Sequence, residues 1–415
     1  MGYNSLKQMK KSIFMVLPLA LAIAFIGCTK NDTPTTTSTK LWPAYNSISN
    51  LYGYINNSGE WAIPAQFSTA SSFFSAGYAL VTINGIQAFI DTDGEVQSCV
   101  SFDQAEAFYY GYARASLNNG VGLINTKFEF AIQPVYAGIS RMTSDGLVTY
   151  PASGDKVGFL DKKGNVLMKD GTPLFYEEAD SFRDGYCVVC SNMSTENDRI
   201  PTYALIDTKG NIVIAEGSYK EMWNMGLGIV ATIDRNTEAG KTEFTIRKAD
   251  GNQAIGTRMY DGVGRYSVDE VAVVGVVQDG KDKYGYIDKD GREVISVTYD
   301  QAYNSTDGYA WVLDDKTCKL LDVKNGTAAY TCQAMTSDVQ EYPLCGVHNG
   351  LTLIIKVTNY NGDQSAEYRW VDVSSNRTVY SWSYNKDKQN GDLDPATWAP
   401  GKKNKEEFSE YVFLK

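Results

Sequence analysis

The sequence predicts an all-β chain of tandem short-strand repeats that closes into a β-propeller of about eight blades. Two observations lead to this prediction. Apolar and polar residues alternate in short runs that end at glycine-containing turns. The same run recurs about every 39 residues, an interval in the range of propeller blades. No long stretch after residue 41 has helical periodicity. An open superhelical array of the same repeats is the alternative architecture.

The composition excludes several functional classes. The chain has 415 residues, with 38 Lys plus Arg against 49 Asp plus Glu, for a formal net charge of −11. Such an acidic chain is a poor nucleic-acid binder, because phosphate contacts need clustered cations. The single histidine, His348, disfavours His-rich metal centres and Ser-His-Asp or Cys-His catalysis. His348 precedes Asn349-Gly350 and is predicted to be a turn residue. The sequence predicts no cofactor and no metal site.

Residues 1–27 are predicted to be a lipoprotein signal peptide. Three lysines, Lys7, Lys10 and Lys11, precede an apolar run of about 14 residues, which is too short for a comfortable membrane span. The run ends in Phe25-Ile26-Gly27-Cys28, which resembles a bacterial lipobox. The resemblance implies that Cys28 becomes the first residue and carries the lipid. Ordinary secretion with Cys28 as a plain thiol is the alternative.

Residues 28–41 are predicted to be a Thr/Ser-rich tether, since they contain little that could be buried. A lipid-anchored domain needs such a spacer to stand clear of the bilayer. These features predict a cell-envelope, outer-membrane lipoprotein, periplasmic or surface-facing, whose contact with the membrane is its N-terminal lipid.

Residues 42–415 are predicted to form one repeat domain, built from two recurring modules. The first module is a hairpin that turns at Asp-x-x-Gly, as in Tyr284–Ile295, with Asn56 in place of the Asp in the matching copy Tyr52–Ile63. The second is an aromatic residue, an acid, any residue and a small apolar residue, followed by a glycine and a strand. Its clearest copies are Phe102-Asp103-Gln104-Ala105, Tyr176-Glu177-Glu178-Ala179, Tyr260-Asp261-Gly262-Val263 and Tyr299-Asp300-Gln301-Ala302. Each unit therefore contains three or four short strands.

These modules resemble the WG-repeat family, whose pattern runs roughly Trp-Gly-Tyr-Ile-Asp-x-x-Gly, then Val-Ile-Pro-Pro, Tyr-Asp-x-Ala and Phe-Ser-Glu-Gly. The resemblance covers nearly all of residues 42–415. Tyr52 and Tyr284 stand where the family has Trp, and Val121 and Val157 replace it elsewhere. The resemblance implies an architecture and brings no catalytic residues.

The two ends of the repeat region are predicted to meet. The stretch 408–414 looks like a second module with no hairpin after it, and the copy at Tyr52 is a hairpin with little of that module before it. Together they would complete one shared blade. The polar stretch 386–407 interrupts the period and is predicted to be an excursion from the last blade.

Repeated carboxylates form one candidate site. Asp103, Glu177, Asp261 and Asp300 occupy one repeat position, so they should form an acidic arc at one end of the repeats. The arc could bind a cation or a polar ligand. The favoured interpretation is that each acid bonds the backbone of the next repeat. The calcium-like loops at Asp91 and Asp288 lack the distal glutamate, so turn chemistry is favoured there.

Six cysteines follow Cys28. Cys187 and Cys190 could form a redox or zinc pair, but residues three apart on a strand face opposite sides, so buried apolar cysteines are favoured. Cys318 and Cys332 flank one hairpin and could form a cross-strand disulfide.

Three tryptophans outside the repeat pattern, Trp370, Trp382 and Trp398, are candidates for a binding surface that stacks on a glycan or anchors a protein. Trp398 lies within 386–407 beside Lys402, Lys403 and Lys405; folding back onto the last blade is its alternative. The sequence thus predicts a non-enzymatic envelope scaffold that binds a protein or glycan. The alternative, a carboxylate-based glycan-active enzyme, needs a unique pair of acids rather than repeated ones.

Overall fold

A computed structural model describes residues 40–74, 76–97, 102–192, 201–238, 241, 243–360 and 363–385. Within these ranges the protein is all-β, and its strands form nine antiparallel sheets of three or four strands, each from its own stretch of chain, and one separate two-stranded hairpin. The nine sheets are the nine blades of a β-propeller. No helix long and apolar enough to cross a membrane is found among the described residues.

The first five blades contain nineteen of the strands, and one short hairpin lies apart within the fourth. Blade 1 is β1 (Trp42–Asn46), β2 (Leu51–Ile55) and β3 (Trp61–Phe67); blade 2 is β4 (Thr69–Ala70), β5 (Ala79–Ile83) and β6 (Ile86–Ile90); blade 3 is β7 (Gln104–Tyr109), β8 (Tyr112–Leu117), β9 (Gly120–Asn125) and β10 (Phe130–Tyr136). Blade 4 is β11 (Leu147–Pro151), β12 (Val157–Asp161) and β15 (Phe175–Tyr176), with the hairpin β13 (Met168–Lys169) and β14 (Thr172–Pro173); blade 5 is β16 (Glu178–Ala179), β17 (Tyr186–Asn192), β18 (Thr202–Asp207) and β19 (Ile212–Ile214).

The last four blades follow the same plan. Blade 6 is β20 (Glu221–Gly226), β21 (Ile229–Ile233) and β22 (Thr245–Lys248); blade 7 is β23 (Gly262–Tyr266), β24 (Val271–Gln278), β25 (Lys281–Asp288) and β26 (Glu293–Tyr299). Blade 8 is β27 (Gln301–Ala302), β28 (Tyr309–Asp314), β29 (Thr317–Asp322) and β30 (Ala328–Thr331); blade 9 is β31 (Val339–Pro343), β32 (Leu351–Tyr360), β33 (Asp363–Asp372) and β34 (Arg377–Asn385).

The sequence prediction of a propeller is confirmed, but the number of blades is nine rather than about eight. The difference arises at the ends of the repeat region. The first and the last blade are each made from their own local stretch of chain, so two blades stand where one shared blade was expected. Residues 408–414, which were to supply the shared strand, lie outside the described residues.

The apolar core lies between blades rather than within them. Tyr54, Ile55 and Phe67 of blade 1 join Ala79 and Val81 of blade 2 in one buried cluster, and every other buried cluster likewise joins neighbouring blades. A single thin sheet has two faces to bury, and stacking on its neighbours covers both.

The ring is closed by contacts between blade 9 and blade 1. The Trp370 indole N–H donates to the carbonyl of Pro43 at 2.9 Å, and the Trp42 indole N–H donates to the carbonyl of His348 at 2.9 Å. The Tyr380 hydroxyl donates to the Tyr45 carbonyl at 3.2 Å. The two blades also share the buried cluster that includes blade 2. Closure is therefore a packed interface of the same kind as the other blade contacts.

Candidate functional site

One repeat position brings side chains of blades 3 to 7 into contact near the axis of the ring. In blades 2 to 9 one strand, the first in blade 4 and the second in the other blades, begins one or two residues after a residue with positive φ: Gly77, Gly111, Gly146, Gly185, Gly228, Glu270, Gly308 and Gly350. The fifth residue before each of these is called the axial position. It is occupied in blade order by Ser72, Glu106, Arg141, Asp180, Trp223, Arg265, Tyr303 and Cys345. This position changes charge and size from blade to blade, whereas the core positions stay apolar.

The charged axial residues pair with one another across the ring. Glu106 of blade 3 accepts a hydrogen bond at 3.1 Å from Nε of Arg141 in blade 4, and it also binds Arg114 of its own blade. Asp180 of blade 5 accepts from Arg265 of blade 7 at 2.9 Å. Only side chains near the axis can reach past the intervening blade 6, so this pair locates the axial position.

Aromatic rings support two of these arginines. The guanidinium of Arg141 lies 4.6 Å from the ring centroid of Tyr109, and that of Arg265 lies 4.6 Å from the ring of Trp223 in blade 6. A guanidinium stacked by its flat face directs its N–H donors outward in its own plane. A carboxylate at the edge of the group can then accept from two of them at once. Nε of Arg265 is buried and has no hydrogen-bond partner.

A cavity of about 430 Å³ opens at this end of the axis. We call it the mouth; its lining is Tyr109, Tyr110 and Arg114 of blade 3, residues 140–144 of blade 4, residues 181–183 of blade 5, residues 265–268 of blade 7 and residues 304–306 of blade 8. The lining contains four arginines and seven serine or threonine residues, and no carboxylate among the described residues that form it. A cavity of this size accommodates a small organic ligand.

Glu106 is held in its charged form. Burial alone would raise the pKa of this carboxyl, but hydrogen bonds and charge from Arg114 and Arg141 bring the pKa below its usual range. Glu106 therefore acts as an anionic brace that fixes two guanidinium groups at the mouth. A general acid would need a raised pKa instead.

A second repeated carboxylate joins neighbouring blades at four places in the ring. Asp145 of blade 4 accepts from the Gly185 N–H at 2.9 Å, and Asp184 of blade 5 accepts from the Leu227 N–H at 2.7 Å. Asp269 and Asp307 make the same bond to Gly308 and Gly350 at 3.0 and 3.3 Å. These bonds run beside the mouth and set the spacing of the blades that line it.

A smaller cavity of about 330 Å³ adjoins the mouth between blades 5 and 6. Asp180 and Trp223 line it, together with Glu178 and Glu221. Although this cavity is acidic, no group of three His, Cys, Asp or Glu residues in the described part of the chain is placed to hold a metal ion.

The predicted acidic arc lies away from the mouth, at the opposite end of the first strands. Asp103 accepts from the Asn118 N–H at 2.9 Å, Asp261 from the Val277 N–H at 2.7 Å and Asp300 from the Asp315 N–H at 2.7 Å. Each of these donors belongs to the acid's own blade, not to the next repeat. The reason is the antiparallel pairing of the first two strands, which places the residue before the first strand beside the turn that follows the second.

Two further features of the arc reduce its interest as a ligand site. Asp300 also binds Nζ of Lys283 at 2.6 Å, and this contact lowers the pKa of Asp300. Glu177 is exposed, and its backbone N–H donates to the Cys190 carbonyl at 2.9 Å. The carboxylates with known partners are thus engaged in holding turns.

Two of the predicted binding tryptophans are part of the core. Trp370 and Trp382 are 3% and 8% exposed, in the cluster that joins blades 9, 1 and 2. The structure therefore corrects the expectation that they form a binding surface. Both lie on the long paired strands of blade 9, and the side of these strands that faces the neighbouring blades is buried. Trp398, the stretch 386–407 and Cys28 lie outside the described residues.

The remaining sequence candidates are structural. Cys187 and Cys190 face opposite sides of their strand: Cys187 packs between blades 4 and 5, and Cys190 lines the smaller cavity. Cys318 and Cys332 are adjacent, with a 2.9 Å backbone hydrogen bond, and are free thiols in this structure. Asp91 and Asp288 each accept backbone N–H bonds from residues two and four positions later, as turn-forming acids do.

Sequence reasoning missed the axial position. The signal was available: alignment of the repeats on the turn residue places Glu106, Arg141, Asp180, Trp223 and Arg265 in one column, in which the residue types change from blade to blade. What the sequence does not show is that Asp180 and Arg265 meet across blade 6, because that contact depends on the curvature of the ring.

Comparison with known proteins supports the repeat and the fold. The profile described as "WG containing repeat" matches residues 52–85, 122–149 and 284–318. A search of curated proteins finds no match. Among solved structures, a eukaryotic initiation factor superposes with a TM-score of 0.55 at 12% identity, covering 83% of this chain and 96% of that one.

Two other solved structures resemble the chain more loosely. The dihydro-heme d1 dehydrogenase NirN has a TM-score of 0.40 at 10% identity and covers 86% of this chain and 81% of its own. Kluyveromyces lactis Hsv2p has a TM-score of 0.38 at 11% identity, covering 71% and 100%. At these identities the likeness concerns the fold alone.

Proposed function

We propose that this protein is a lipid-anchored, non-enzymatic scaffold of the cell envelope that binds its ligand at the mouth. The observation that carries the binding role is the axial position. Core positions of a repeat protein are committed to stacking, so a position free to differ between blades is where specificity can be built. Here that position places Arg141 and Arg265 at a cavity of suitable size.

A carboxylate-based enzyme is the less favoured function. Such an enzyme needs one carboxyl with a raised pKa beside a second, ionised one. The axial carboxyl of Glu106 instead has a lowered pKa and is fixed between two arginines, and Asp180 is fixed by Arg265. Both acids are placed to orient cations, which is a binding role.

Filling the mouth tests this function. Ser144 is an exposed residue of the lining, so Ser144→Trp should occupy the cavity without disturbing the core. Ser374, exposed at the outer tip of blade 9, gives the matched control Ser374→Trp. On an array of envelope glycans and in capture from envelope extracts, we expect Ser144→Trp to lose the ligand and Ser374→Trp to keep it. Equal retention by both variants would exclude the mouth as the binding site.

The lipid anchor rests on the sequence: a basic segment, a short apolar run and Cys28 at its end. We expect the mature protein to begin at Cys28 with an attached lipid, and Cys28→Ser to move it from membrane to soluble fractions. Fractionation followed by mass spectrometry of the N-terminal peptide measures both properties. Membrane retention of Cys28→Ser at the parental level would refute the anchor.

A further inference from the structure

We propose that the mouth recognises a carboxylated sugar, an acidic residue of a glycan, through Arg265 and the Arg114–Arg141 pair. This inference rests on the proposed function, since it names the ligand class for the same site. It is carried by four properties of the mouth: its cationic lining, an unused donor, its hydroxyl groups and its aromatic rim.

The lining of the mouth is cationic. Among the described residues that form it, the charged side chains are all arginines: Arg114, Arg141, Arg183 and Arg265. The carboxylates that bind three of them, Glu106 and Asp180, do not line the cavity. A ligand therefore meets guanidinium groups, in a protein whose formal net charge is −11, and this suits an anionic ligand.

The donors of Arg265 are preorganised for a carboxylate. Its side chain is only 14% exposed and is fixed by the stack on Trp223 and by the bond to Asp180. Nε of Arg265 nevertheless has no acceptor, although it is buried. A buried donor left unpaired is costly, so an incoming oxygen that accepts from it gains more than it would from a solvated group.

The rest of the lining suits the hydroxyls of a sugar. Serine and threonine hydroxyls both donate and accept, as sugar hydroxyls do. Ser267 and Ser305 are bonded to each other at 2.6 Å, and the buried Oγ1 of Thr306 has no partner. A ligand hydroxyl can satisfy Thr306 and join the serine pair without displacing any ion pair.

An aromatic rim completes the site. Tyr110 is 63% exposed and lines the mouth at the turn after β7, where it is held with positive φ. An exposed tyrosine in this strained conformation is unusual, and its ring offers an apolar face to the C–H side of a sugar. Carboxylate, hydroxyl and apolar face are the three surfaces of a uronic acid residue.

Calorimetric titration of the full chain tests this proposal. The probes are a trigalacturonate, the neutral trigalactoside and inorganic phosphate. We expect the trigalacturonate to bind at least about ten-fold more tightly than either of the others, because the neutral sugar lacks the charge-assisted bonds and phosphate lacks the ring hydroxyls and the apolar face of a sugar. Arg265→Gln should weaken trigalacturonate binding about ten-fold or more. Arg265→Lys should bind it little better than Arg265→Gln does, since lysine keeps the charge but lacks the planar fork.

Arg258→Gln is the matched control, because Arg258 pairs with Glu293 outside the mouth. Thermal melting of each variant separates lost binding from lost folding, and Arg265→Lys keeps the charge if Arg265→Gln melts early. Equal binding of the neutral sugar, or tighter binding of phosphate, would overturn the carboxylated sugar while leaving the mouth as the site. Trigalacturonate binding that survives both Arg265→Gln and Ser144→Trp would overturn the ligand assignment and the proposed site together.

Discussion

At the scale of single residues, some carboxylates stabilise the turn in which they lie and others bond a neighbouring blade. The sequence distinguishes these two roles only in part. Turn acids such as Asp288 were predictable, because the Asp-x-x-Gly spacing fixes their local bonds. Bonds between blades were not, because Asp145 and its donor, the Gly185 N–H, are 40 positions apart. Asp103 and Asp300 recur just as regularly, yet each accepts a backbone N–H of its own blade. Recurrence alone therefore does not identify the partner of a carboxylate.

Asp145 offers a test of the carboxylate that joins neighbouring blades. Burial raises the pKa of Asp145, aided by the charge of Asp184, so the folded protein holds this proton more tightly than the unfolded chain. That contribution to stability is full below the ordinary pKa of 3.8 and is lost as the pH rises through the raised value. Asp145→Asn should remove this loss of stability with rising pH, while its side-chain oxygen still accepts from the Gly185 N–H.

Melting curves of the parent, of Asp145→Asn and of a second variant, Asp145→Ala, between pH 3 and pH 7 measure how stability depends on the carboxyl group. At pH 7 we expect Asp145→Asn to melt at or above the parental temperature. Asp145→Ala leaves the Gly185 N–H unpaired and should lose about 1–2 kcal/mol. If the Asn variant were destabilised as much as the Ala variant, the negative charge itself would be required and this interpretation would fail.

At the scale of the strand, a glycine explains why the last two strands of several blades lie so close together. A Cβ on Gly53, Gly122 or Gly285 would lie 2.5, 2.3 or 2.5 Å from a carbonyl oxygen of the next strand. Around Gly285 the pairing shifts register between Tyr284 and Tyr286, so the backbone bulges toward this position. The sequence predicted the hairpin, but not this close approach, which depends on a bulge that leaves no mark in the hydrophobic pattern.

The same strand also joins neighbouring blades. Tyr286, fully buried beside Gly285, donates its hydroxyl to the carbonyl of Tyr303 in blade 8 at 2.7 Å. Tyr54 in blade 1 makes the equivalent bond to Ser71 in blade 2 at 2.9 Å. Glycine and tyrosine at adjacent positions thus set the spacing within a blade and between blades.

Gly285→Ala tests the close approach. The added methyl must displace backbone rather than a flexible side chain, so we expect a loss of about 1–3 kcal/mol, as for overpacked cores. Gly138→Ala is the control, since a Cβ there meets nothing within 4 Å. Urea denaturation should show Gly138→Ala within about 0.5 kcal/mol of the parent. Equal stabilities of the two variants would show that the strand can move away at no cost.

At the scale of the whole molecule, closure creates the mouth, which is the proposed binding site. The mouth draws its lining from blades 3, 4, 5, 7 and 8, which are distant in sequence, and an open superhelix would not bring Asp180 to Arg265. The repeat period predicted blades and left ring and open array as alternatives. The decision between them rests on the contacts of Trp42 and Trp370, which join positions more than 300 residues apart and have no sequence pattern of their own.

The most direct test of the closed ring is a pair of distances measured by pulsed electron paramagnetic resonance, with spin labels on bioorthogonal side chains. One pair joins Ser58 of blade 1 to Ser374 of blade 9, and the reference pair joins Asp290 of blade 7 to Lys324 of blade 8. All four are exposed residues, two positions after the acid or amide that opens the outer hairpin turn. The closed nine-bladed ring predicts similar distances for both pairs, because each joins neighbouring blades. A Ser58–Ser374 distance several times the reference distance would show an open array and contradict this structure.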